Sequence, residues 1–219
     1  MGVPSFFREI LEKYRQTHFW DPNFPIDFLF IDFNATIYTA IRQYFKRVTF
    51  EAFEQMTPLK RDNAIIEYVI QHTLHLINNL LRPRKLLYLA FDGSAPRSKM
   101  MLQRERRYHK LKEEAFIETL RELYKIKEPD TLWNSSAISP GTRFMTKLSE
   151  SLWKAIEKKQ FMEGKITVIL SDTNRPGEGE HKIMPFLRSI PKVSDNIVIY
   201  SQDADLIILS MALPQENIY

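Results

Sequence analysis

The 219-residue chain contains no cysteine, only six glycines, and no apolar run as long as a membrane-spanning helix. The absence of cysteine excludes disulfides and thiolate zinc sites and is in keeping with a reducing compartment. A transmembrane helix needs about 20 consecutive apolar residues, so the sequence predicts no membrane span. The N-terminus also lacks the layout of a secretory signal peptide. These absences favour an intracellular protein and leave open whether it is nuclear or cytoplasmic.

Positive charge is concentrated in one segment of the chain. The formal net charge is +4, yet residues 97–127 alone hold ten Lys or Arg and five Glu, which leaves the rest of the chain slightly acidic. A localised basic segment is typical of a surface that binds a polyanion such as nucleic acid. From charge alone, a solvated helix with internal ion pairs is an equal alternative.

Four short apolar runs alternate with segments of helical periodicity. The runs cover residues 28–32, 86–91, 166–170 and 197–202. Strands separated by helices are typical of βαβ units. The sequence therefore predicts an α/β fold with a mostly parallel central sheet flanked by helices on both faces. Residues 217–219 are candidates for a fifth strand.

The spacing of apolar residues predicts helices in the intervals between the strands. The predicted helices cover residues 5–15, 35–46, 65–81, 96–127 (as one helix or a pair), 142–161, 178–188 and 204–212. Residues 128–141 are predicted to be a loop, and 47–60 a loop or small insertion. No repeat or low-complexity tract divides the chain, so residues 1–219 are expected to form a single domain.

Acidic residues stand at or just beyond the end of each predicted strand. The candidates are Asp32, Asp92, Glu178, Glu180, Asp203 and Asp205. Parallel strands present their carboxyl ends at one edge of the sheet, so these side chains are expected to converge. Any single one is more simply a turn former or a helix cap, but six carboxylates on one edge repel one another unless cations neutralise them. The pattern predicts a site for Mg²⁺ or Mn²⁺.

A carboxylate cage of this kind suits phosphoryl transfer with two metal ions. Gly177 and Gly179 are expected to let the backbone turn sharply, so that both neighbouring glutamates face inward. Asp172 is a weaker member of the set, since it precedes this turn by several residues. His181 is expected to be an ordinary polar residue of a helix and not a metal ligand.

A second candidate feature follows Asp92 directly. Lys99, Gln103, Arg106 and Arg107 fall at i, i+4, i+7 and i+8, which is one face of a helix. An ammonium, an amide and two guanidinium groups on one face suit a phosphate. A phosphate pocket beside a phosphodiester-cleaving centre indicates an enzyme that senses a terminal phosphate.

Four sequence blocks carry a resemblance to a known family. They are Met1–Arg8, Ile31–Asn34, Phe91–Met100 with Gln103, Arg106 and Arg107, and Pro176–Met184 with Asp203–Ile207; residues 140–145 also match. With these blocks in this order, the chain resembles the 5′→3′ exoribonuclease (XRN) family, within the flap-endonuclease-like (PIN-like) nucleases. The resemblance spans nearly the whole chain.

The resemblance implies a Mg²⁺-dependent, processive exoribonuclease that acts in RNA degradation such as mRNA decay. Its substrate would be single-stranded RNA with a 5′ monophosphate, and its products nucleoside 5′-monophosphates. The resemblance also implies that the six strand-end acids bind the metal, and that Lys99, Gln103, Arg106 and Arg107 hold the 5′ phosphate.

The chain departs from the family pattern in three places. Tyr38 stands where the family usually has a His that stacks on the terminal base, a role that Tyr can also fill. Ala35 replaces a usual Gly. The family's catalytic region continues beyond the position of Tyr219 and supplies a further metal-binding acid and an aromatic residue, so a C-terminal remainder of the same protein is an expected partner.

Two other functions compete with this interpretation. A structure-specific flap endonuclease acting on DNA would use a similar acid cage, and the residues taken one by one do not separate RNA from DNA. A shortened relative that binds RNA ends or a partner protein without cleaving is the other alternative. The six intact acids count against it.

Overall fold

The computed structural model describes residues 9, 12–13, 21–125, 129–191, 194–203 and 205–219. The helix predicted over residues 5–15 and the first family block therefore lie mostly outside the described residues. None of the helices in the described part of the chain is both long and apolar enough to cross a membrane.

Four parallel strands form the central sheet, as the sequence predicts. They are β1 (Phe28–Asp32), β2 (Leu86–Ala90), β3 (Thr167–Ser171) and β4 (Ile197–Tyr200). Their order is β3-β2-β1-β4, so the chain moves outward from β1 to β3 and then returns to the other side of β1. The strand order reverses between β1 and β4, and such a switch point opens a crevice at the carboxyl ends of an α/β sheet.

The register aligns the carboxyl ends of the strands. Asp32 lies opposite Ala90, and Ala90 lies opposite Ser171. On the other side of β1, Ile31 lies opposite Tyr200. Residues that follow these positions must therefore emerge along one edge of the sheet.

Helices connect and cover the strands. They are α1 (Phe33–Phe45), α2 (Phe50–Glu54), α3 (Pro58–His75), α4 (Arg97–Tyr124), α5 (Arg143–Glu157), α6 (Gly179–Ser189) and α7 (Asp205–Met211). Helix α3 continues as a π-helical segment, Leu76–Leu81. Short 3₁₀ turns cover Pro129–Leu132, Ser135–Ala137 and Met162–Gly164.

Two apolar cores lie on the two faces of the sheet, because successive side chains of a strand point to opposite faces. Leu29 and Ile31 of β1 belong to the core formed with helices α1, α3 and α5. Phe30, between them, belongs to the core that includes Ile183 of α6 and Leu206 of α7. Helices on both faces of a parallel sheet confirm the predicted fold class.

The prediction that 47–60 is a loop was wrong in part. Helix α2 forms there, with the Thr49 hydroxyl accepting a hydrogen bond from Ala52 N–H at 3.3 Å. A five-residue helix is too short to show a clear 3.6-residue period, so pattern reading misses it. The Arg61 guanidinium fixes α2 by donating to the carbonyl oxygens of Phe53 and Glu54.

Residues 217–219 extend the sheet by a single parallel bridge between Ile218 and Ile197. The N–H of Ile199 donates to the carbonyl oxygen of Tyr219 at 2.9 Å. In the described residues, the segment predicted as a fifth strand forms only this bridge and its hydrogen bonds to β4.

Candidate metal and phosphate site

Asp32 ends strand β1 at the switch point of the sheet. Its Oδ2 accepts a hydrogen bond from Ser201 Oγ at 3.1 Å, across the crevice between β1 and β4. Burial is the largest cause and the negative charge of Asp92 the next, and together with smaller effects they raise the pKa of Asp32 to about 7. Burial disfavours the ionised form of this carboxyl group, and a nearby cation would stabilise that form.

Asp92 is held by groups from two other elements. Its Oδ1 accepts the Gly179 N–H at 2.8 Å, and its Oδ2 accepts Asn34 Nδ2 at 2.7 Å. The Asn34 side chain also accepts the backbone N–H of Asp92 at 3.3 Å. Burial raises the pKa of Asp92 despite the bond from Gly179, and the charge of Glu178 adds to the effect. Two hydrogen bonds to separate oxygens fix the orientation of this carboxylate.

Asn34 is a site residue that the sequence analysis quoted only as part of a family block. The signal that could have found it is its place in the first turn of α1, two residues after the strand-ending Asp32. An amide on that turn points along the same edge as the acids. The Asn34 amide donates to one carboxylate oxygen of Asp92 and accepts from the Asp92 backbone N–H, so it restrains both the side chain and the backbone of Asp92.

The glycines between β3 and α6 have two different roles. Gly177 has φ +102°, a backbone conformation that favours glycine, as the predicted sharp turn requires. Gly179 is needed for space instead, because a Cβ on it would lie 2.6 Å from Asp32 Oδ1. The backbone of α6 therefore passes directly against the first carboxylate.

Glu178 and Glu180 stand at the start of α6, facing the same crevice. One ligand atom from each, together with one from His181, lies within 4.8 Å of the others. The His181 Nδ1 is 3.5 Å from both Glu178 Oε2 and Glu180 Oε1. Burial raises the pKa of Glu180. The structure thus places His181 with the acids, although the sequence analysis treated it as an ordinary helix residue.

Lys99 brings the basic helix to the carboxylates. Its ammonium contacts Glu178 Oε2 and lies 3.9 Å from Glu180 Oε1. Burial lowers the pKa of Lys99, but the hydrogen bond and charge of Glu178 outweigh it, so the pKa is raised overall. The phosphate face and the acid edge are therefore neighbours, joined by this ion pair.

Three other residues belong to the predicted phosphate face of α4. Gln103 lies one turn after Lys99, and Arg106 and Arg107 lie two turns after it. The backbone positions of Gln103, Arg106 and Arg107 are helical. Their side chains lie outside the described part of the chain.

Asp203 and Asp205 follow strand β4. The negative charge of Asp203 contributes to the raised pKa of both Asp32 and Glu180, which places it close to them. Asp203 Oδ1 also accepts the Asp205 N–H at 3.0 Å, and Asp205 is the first residue of helix α7. Asp203 combines a capping contact with a position beside the acid cluster.

Asp172 differs from the other strand-end acids. Its carboxylate accepts two hydrogen bonds from Asn174, from the backbone N–H and from Nδ2, each at 3.0 Å. The hydrogen bonds of the Asp172 carboxylate are therefore made within this local turn. This is in keeping with the expectation that Asp172 belongs less firmly to the metal site than the other acids do.

Tyr38 lies on helix α1 and is 45% exposed. Burial raises the pKa of its phenol, and the charge of Asp92 adds to this effect. The ring is therefore near the acid edge and partly open to solvent, where a base could stack on it.

The acids at this edge of the sheet form a compact carboxylate cluster. Asp32, Asp92 and Glu180 each hold a proton more tightly than a free carboxyl group, chiefly because of burial. The donor set consists of carboxylate oxygens and one imidazole, which fits a hard divalent cation. An arrangement of this kind could hold a divalent cation beside the ammonium of Lys99.

Comparison with known proteins gives a consistent result. Residues 1–219 match the family model described as XRN 5'-3' exonuclease N-terminus. Similar proteins include 5'-3' exoribonuclease 2 of Saccharomyces cerevisiae, 35% identical over 97% of this chain and 24% of the relative. The 5'-3' exoribonuclease 2 homolog of Drosophila melanogaster is 34% identical over 99% of this chain and 27% of the relative. The 5'-3' exoribonuclease 1 of Schizosaccharomyces pombe is 33% identical over 96% and 16%.

The chain therefore spans about a quarter or less of the length of these relatives. The match covers all four strand ends that the acids follow and the helix that carries Lys99.

Proposed function

The chain belongs to the XRN 5'-3' exonuclease family, and we propose that it carries the nuclease site of a metal-dependent 5′→3′ exoribonuclease. The observation that supports this most directly is the meeting of Asp32, Asp92, Glu178 and Glu180 with the ammonium of Lys99. Residues 1–219 would form a single nuclease domain, the N-terminal part of a longer catalytic region.

The cofactor of this site would be Mg²⁺ or Mn²⁺, in two ions. Asp32, Asp92, Glu178, Glu180, Asp203 and Asp205 would hold them. Bound divalent cations lower the pKa of the attacking water and neutralise charge on the phosphate and the leaving oxygen. The bonds from Gly179 and Asn34 keep the Asp92 oxygens in fixed directions, which supports ordered binding of a small cation.

Lys99 would have a different partner in each state of the site. Without divalent cations its ammonium neutralises Glu178. When cations occupy the carboxylates, that ammonium is released to a neighbouring anion, because the cations then supply the positive charge. We propose that this anion is the 5′ monophosphate of the substrate, held by Lys99 together with Gln103, Arg106 and Arg107 on one face of α4.

The position of the phosphate site determines which bond is cut. A terminal phosphate held on α4 leaves the first phosphodiester bond of a single strand over the acid cluster. The partly exposed ring of Tyr38 would stack on the terminal base. Repeated capture of each new 5′ phosphate would make degradation processive and release nucleoside 5′-monophosphates.

The deciding experiment compares RNA substrates that differ only at the 5′ end. In Mg²⁺ buffer, the chain should degrade 5′-monophosphate RNA from that end at least tenfold faster than 5′-triphosphate or 5′-hydroxyl RNA. Asp92→Asn should abolish cleavage, because it removes a charge from the metal site, while Lys154→Met on the exposed face of α5 should leave it unchanged.

The other outcomes of the same assay identify the competing functions. Equal cleavage of all three RNAs, or internal cuts, would contradict the proposal. Cutting of a labelled DNA flap in preference to RNA would indicate a structure-specific endonuclease. Binding of RNA ends with no cleavage, unaffected by Asp203→Ala, would indicate a non-catalytic relative.

A further inference from the structure

Lys182 is a charged residue beside the carboxylate cluster, and the proposed reaction leaves it without a role. It lies on helix α6, two residues after Glu180. Its ammonium donates to the carbonyl oxygen of Phe91 at 2.7 Å and to that of Asp172 at 2.8 Å. No family block or composition argument predicts these bonds, because they join three separate elements.

The two carbonyl groups belong to the ends of neighbouring strands. Phe91 follows β2 and Asp172 follows β3. The N–H of Phe91 still pairs with the Ser171 carbonyl oxygen at 2.9 Å, which continues the sheet by one residue. Beyond that bond the ladder stops, and buried carbonyl groups there need another donor. The ammonium of Lys182 supplies it to both strands at once.

Beyond these strand ends the two loops run side by side. The Gly93 N–H donates to the Gly177 carbonyl oxygen at 2.8 Å, and the Gly177 N–H donates to that of Ser94 at 3.0 Å. A Cβ on Gly93 would lie 1.9 Å from the Arg175 carbonyl oxygen, so the loops are in close contact. Lys182 bonds to both chains at the point where this paired region begins.

Asp92 is the residue most affected by this arrangement. It follows Phe91, whose side chain is fully buried and packs against Phe33 with ring centroids 4.8 Å apart. The bond from Lys182 fixes the Phe91 carbonyl group, and with it the peptide plane that leads to Asp92. The same ammonium also carries positive charge close to the Asp92 carboxylate.

We propose that Lys182 is a positioning residue, whose ammonium clamps the ends of β2 and β3 and so orients Asp92 toward a divalent cation. The proposal rests on the metal site of the proposed function. Residues that orient a metal ligand typically change metal affinity about 10- to 100-fold when they are removed. Lys182 differs from Lys99, since Lys182 bonds to backbone oxygens and stays in place when cations bind.

The test measures Mn²⁺ affinity by calorimetry in the 219-residue chain, without RNA. Lys182→Met keeps the length of the aliphatic side chain and removes the ammonium, and it should weaken Mn²⁺ binding at least tenfold in protein that remains folded by circular dichroism. Lys182→Arg should recover part of the loss, because it keeps charged donors. The matched control is Lys154→Met, which changes a lysine on the exposed face of α5 in the same way. This variant should bind Mn²⁺ like the wild type.

Two results would overturn the proposal. If Lys182 acted only as a positive charge, its removal would strengthen Mn²⁺ binding, since it would relieve repulsion between cations. If it only supported the fold, Lys182→Met would lower the melting temperature and leave the affinity of the folded protein unchanged. If Lys182→Met does not fold, Lys182→Gln replaces it, because glutamine is a shorter, neutral hydrogen-bond donor. Weaker, stronger or unchanged Mn²⁺ affinity then has the same meaning as for Lys182→Met.

A double-mutant cycle adds a second test. Asn34→Ala removes another restraint on Asp92, so its effect on Mn²⁺ affinity should not add to that of Lys182→Met. Additive losses would contradict a shared action on Asp92. A chain that binds Mn²⁺ but does not cleave RNA would fail the proposed function and leave this inference standing. A wild-type chain that does not bind Mn²⁺ would overturn both.

Discussion

Neighbouring groups decide what each strand-end acid can do, although the acids look alike in the sequence. Asp172 and Asp92 both follow strands of the sheet, but Asp172 is satisfied within its own turn by Asn174. Asp92 is bound instead by Gly179 and Asn34, which come from other elements. The first carboxylate is therefore part of a turn, and the second is part of a site.

The raised pKa of Asp32 leads to a prediction about stability in the metal-free protein. The pKa in the folded state is about 7, against 3.8 for an ordinary Asp, so the folded state binds the proton more tightly than the unfolded state does. Stability is therefore greatest below pH 4 as far as Asp32 is concerned, and it is lost as the pH rises toward 7. Asp32→Asn should raise the free energy of unfolding at pH 7.5 by up to about 4 kcal/mol.

Urea unfolding in EDTA at pH 5 and pH 7.5 measures this effect. The gain from Asp32→Asn should be larger at pH 7.5 than at pH 5, because the stability that the wild type loses through Asp32 grows from about pH 4 to pH 7 and is only partly lost at pH 5. Glu150→Gln, on the exposed surface of α5, is the control. A gain of the same size at both pH values would show that the Asp32 charge is not the cause.

At the scale of elements, helix α4 differs most from its neighbours. It runs for 28 residues as one helix, which decides between the single helix and the pair that the sequence left open. Along most of its length no described element packs extensively against it. Met101, Phe116 and Leu123 are 76%, 64% and 71% exposed. The helix is therefore defined by its own backbone bonds and contributes Lys99 to the site from its first turn.

Helix α2 depends on contacts with the rest of the fold, because a helix of five residues is too short to be stable alone. The guanidinium of Arg61 donates to the carbonyl oxygens of Phe53, Glu54 and Leu132 at 3.0, 2.9 and 3.1 Å. It also lies over the Phe53 ring, 5.2 Å from its centroid. One side chain therefore joins α2 to the turn at Pro129–Leu132.

Arg61→Lys should destabilise the protein by about 2 kcal/mol, because an ammonium cannot reach three carbonyl groups in this fork geometry. Thermal unfolding followed by circular dichroism measures the loss. Arg143→Lys, at the exposed start of α5, changes the same chemical group and should shift the melting temperature little. Equal shifts for both variants would contradict a special role for Arg61.

At the scale of the whole molecule, the strand order brings distant parts of the sequence together. Asp32 and Ser201 are 169 residues apart, and their hydrogen bond spans the switch point between β1 and β4. Asn34 and Asp92 are joined across 58 residues. The acid cluster therefore exists only in the folded sheet. The repulsion between its carboxylates destabilises the native state and is absent from the unfolded state.

A divalent cation should consequently stabilise the whole fold. A ligand that binds only the folded state adds about 2.7 kcal/mol at 100 times its dissociation constant, which corresponds to a rise in melting temperature of roughly 5–10 °C for a chain of this length. Differential scanning fluorimetry with MgCl₂ or MnCl₂ should show the rise, and EDTA should reverse it.

Two controls separate binding at the site from general screening by salt. NaCl at the same ionic strength screens surface charges without occupying a carboxylate cluster, so it should give a much smaller rise. Asp92→Asn should lose most of the divalent effect, because it removes one of the proposed ligands. A similar rise with NaCl, or in the Asp92→Asn variant, would contradict a specific metal site.

The sequence by itself determined the fold class, the four parallel strands and the family. Apolar runs that alternate with helical segments, and short blocks that match a family, can be seen in neighbouring residues along the chain. It also made the acids candidates for a site, since a carboxylate after an apolar run is visible along the chain. Only the tertiary structure decided which partners those acids have. The bonds of Asn34 and Gly179 to Asp92, and of Lys182 to the ends of β2 and β3, join residues far apart in sequence. No local pattern encodes such contacts, because they depend on the strand order and on the spacing between packed elements.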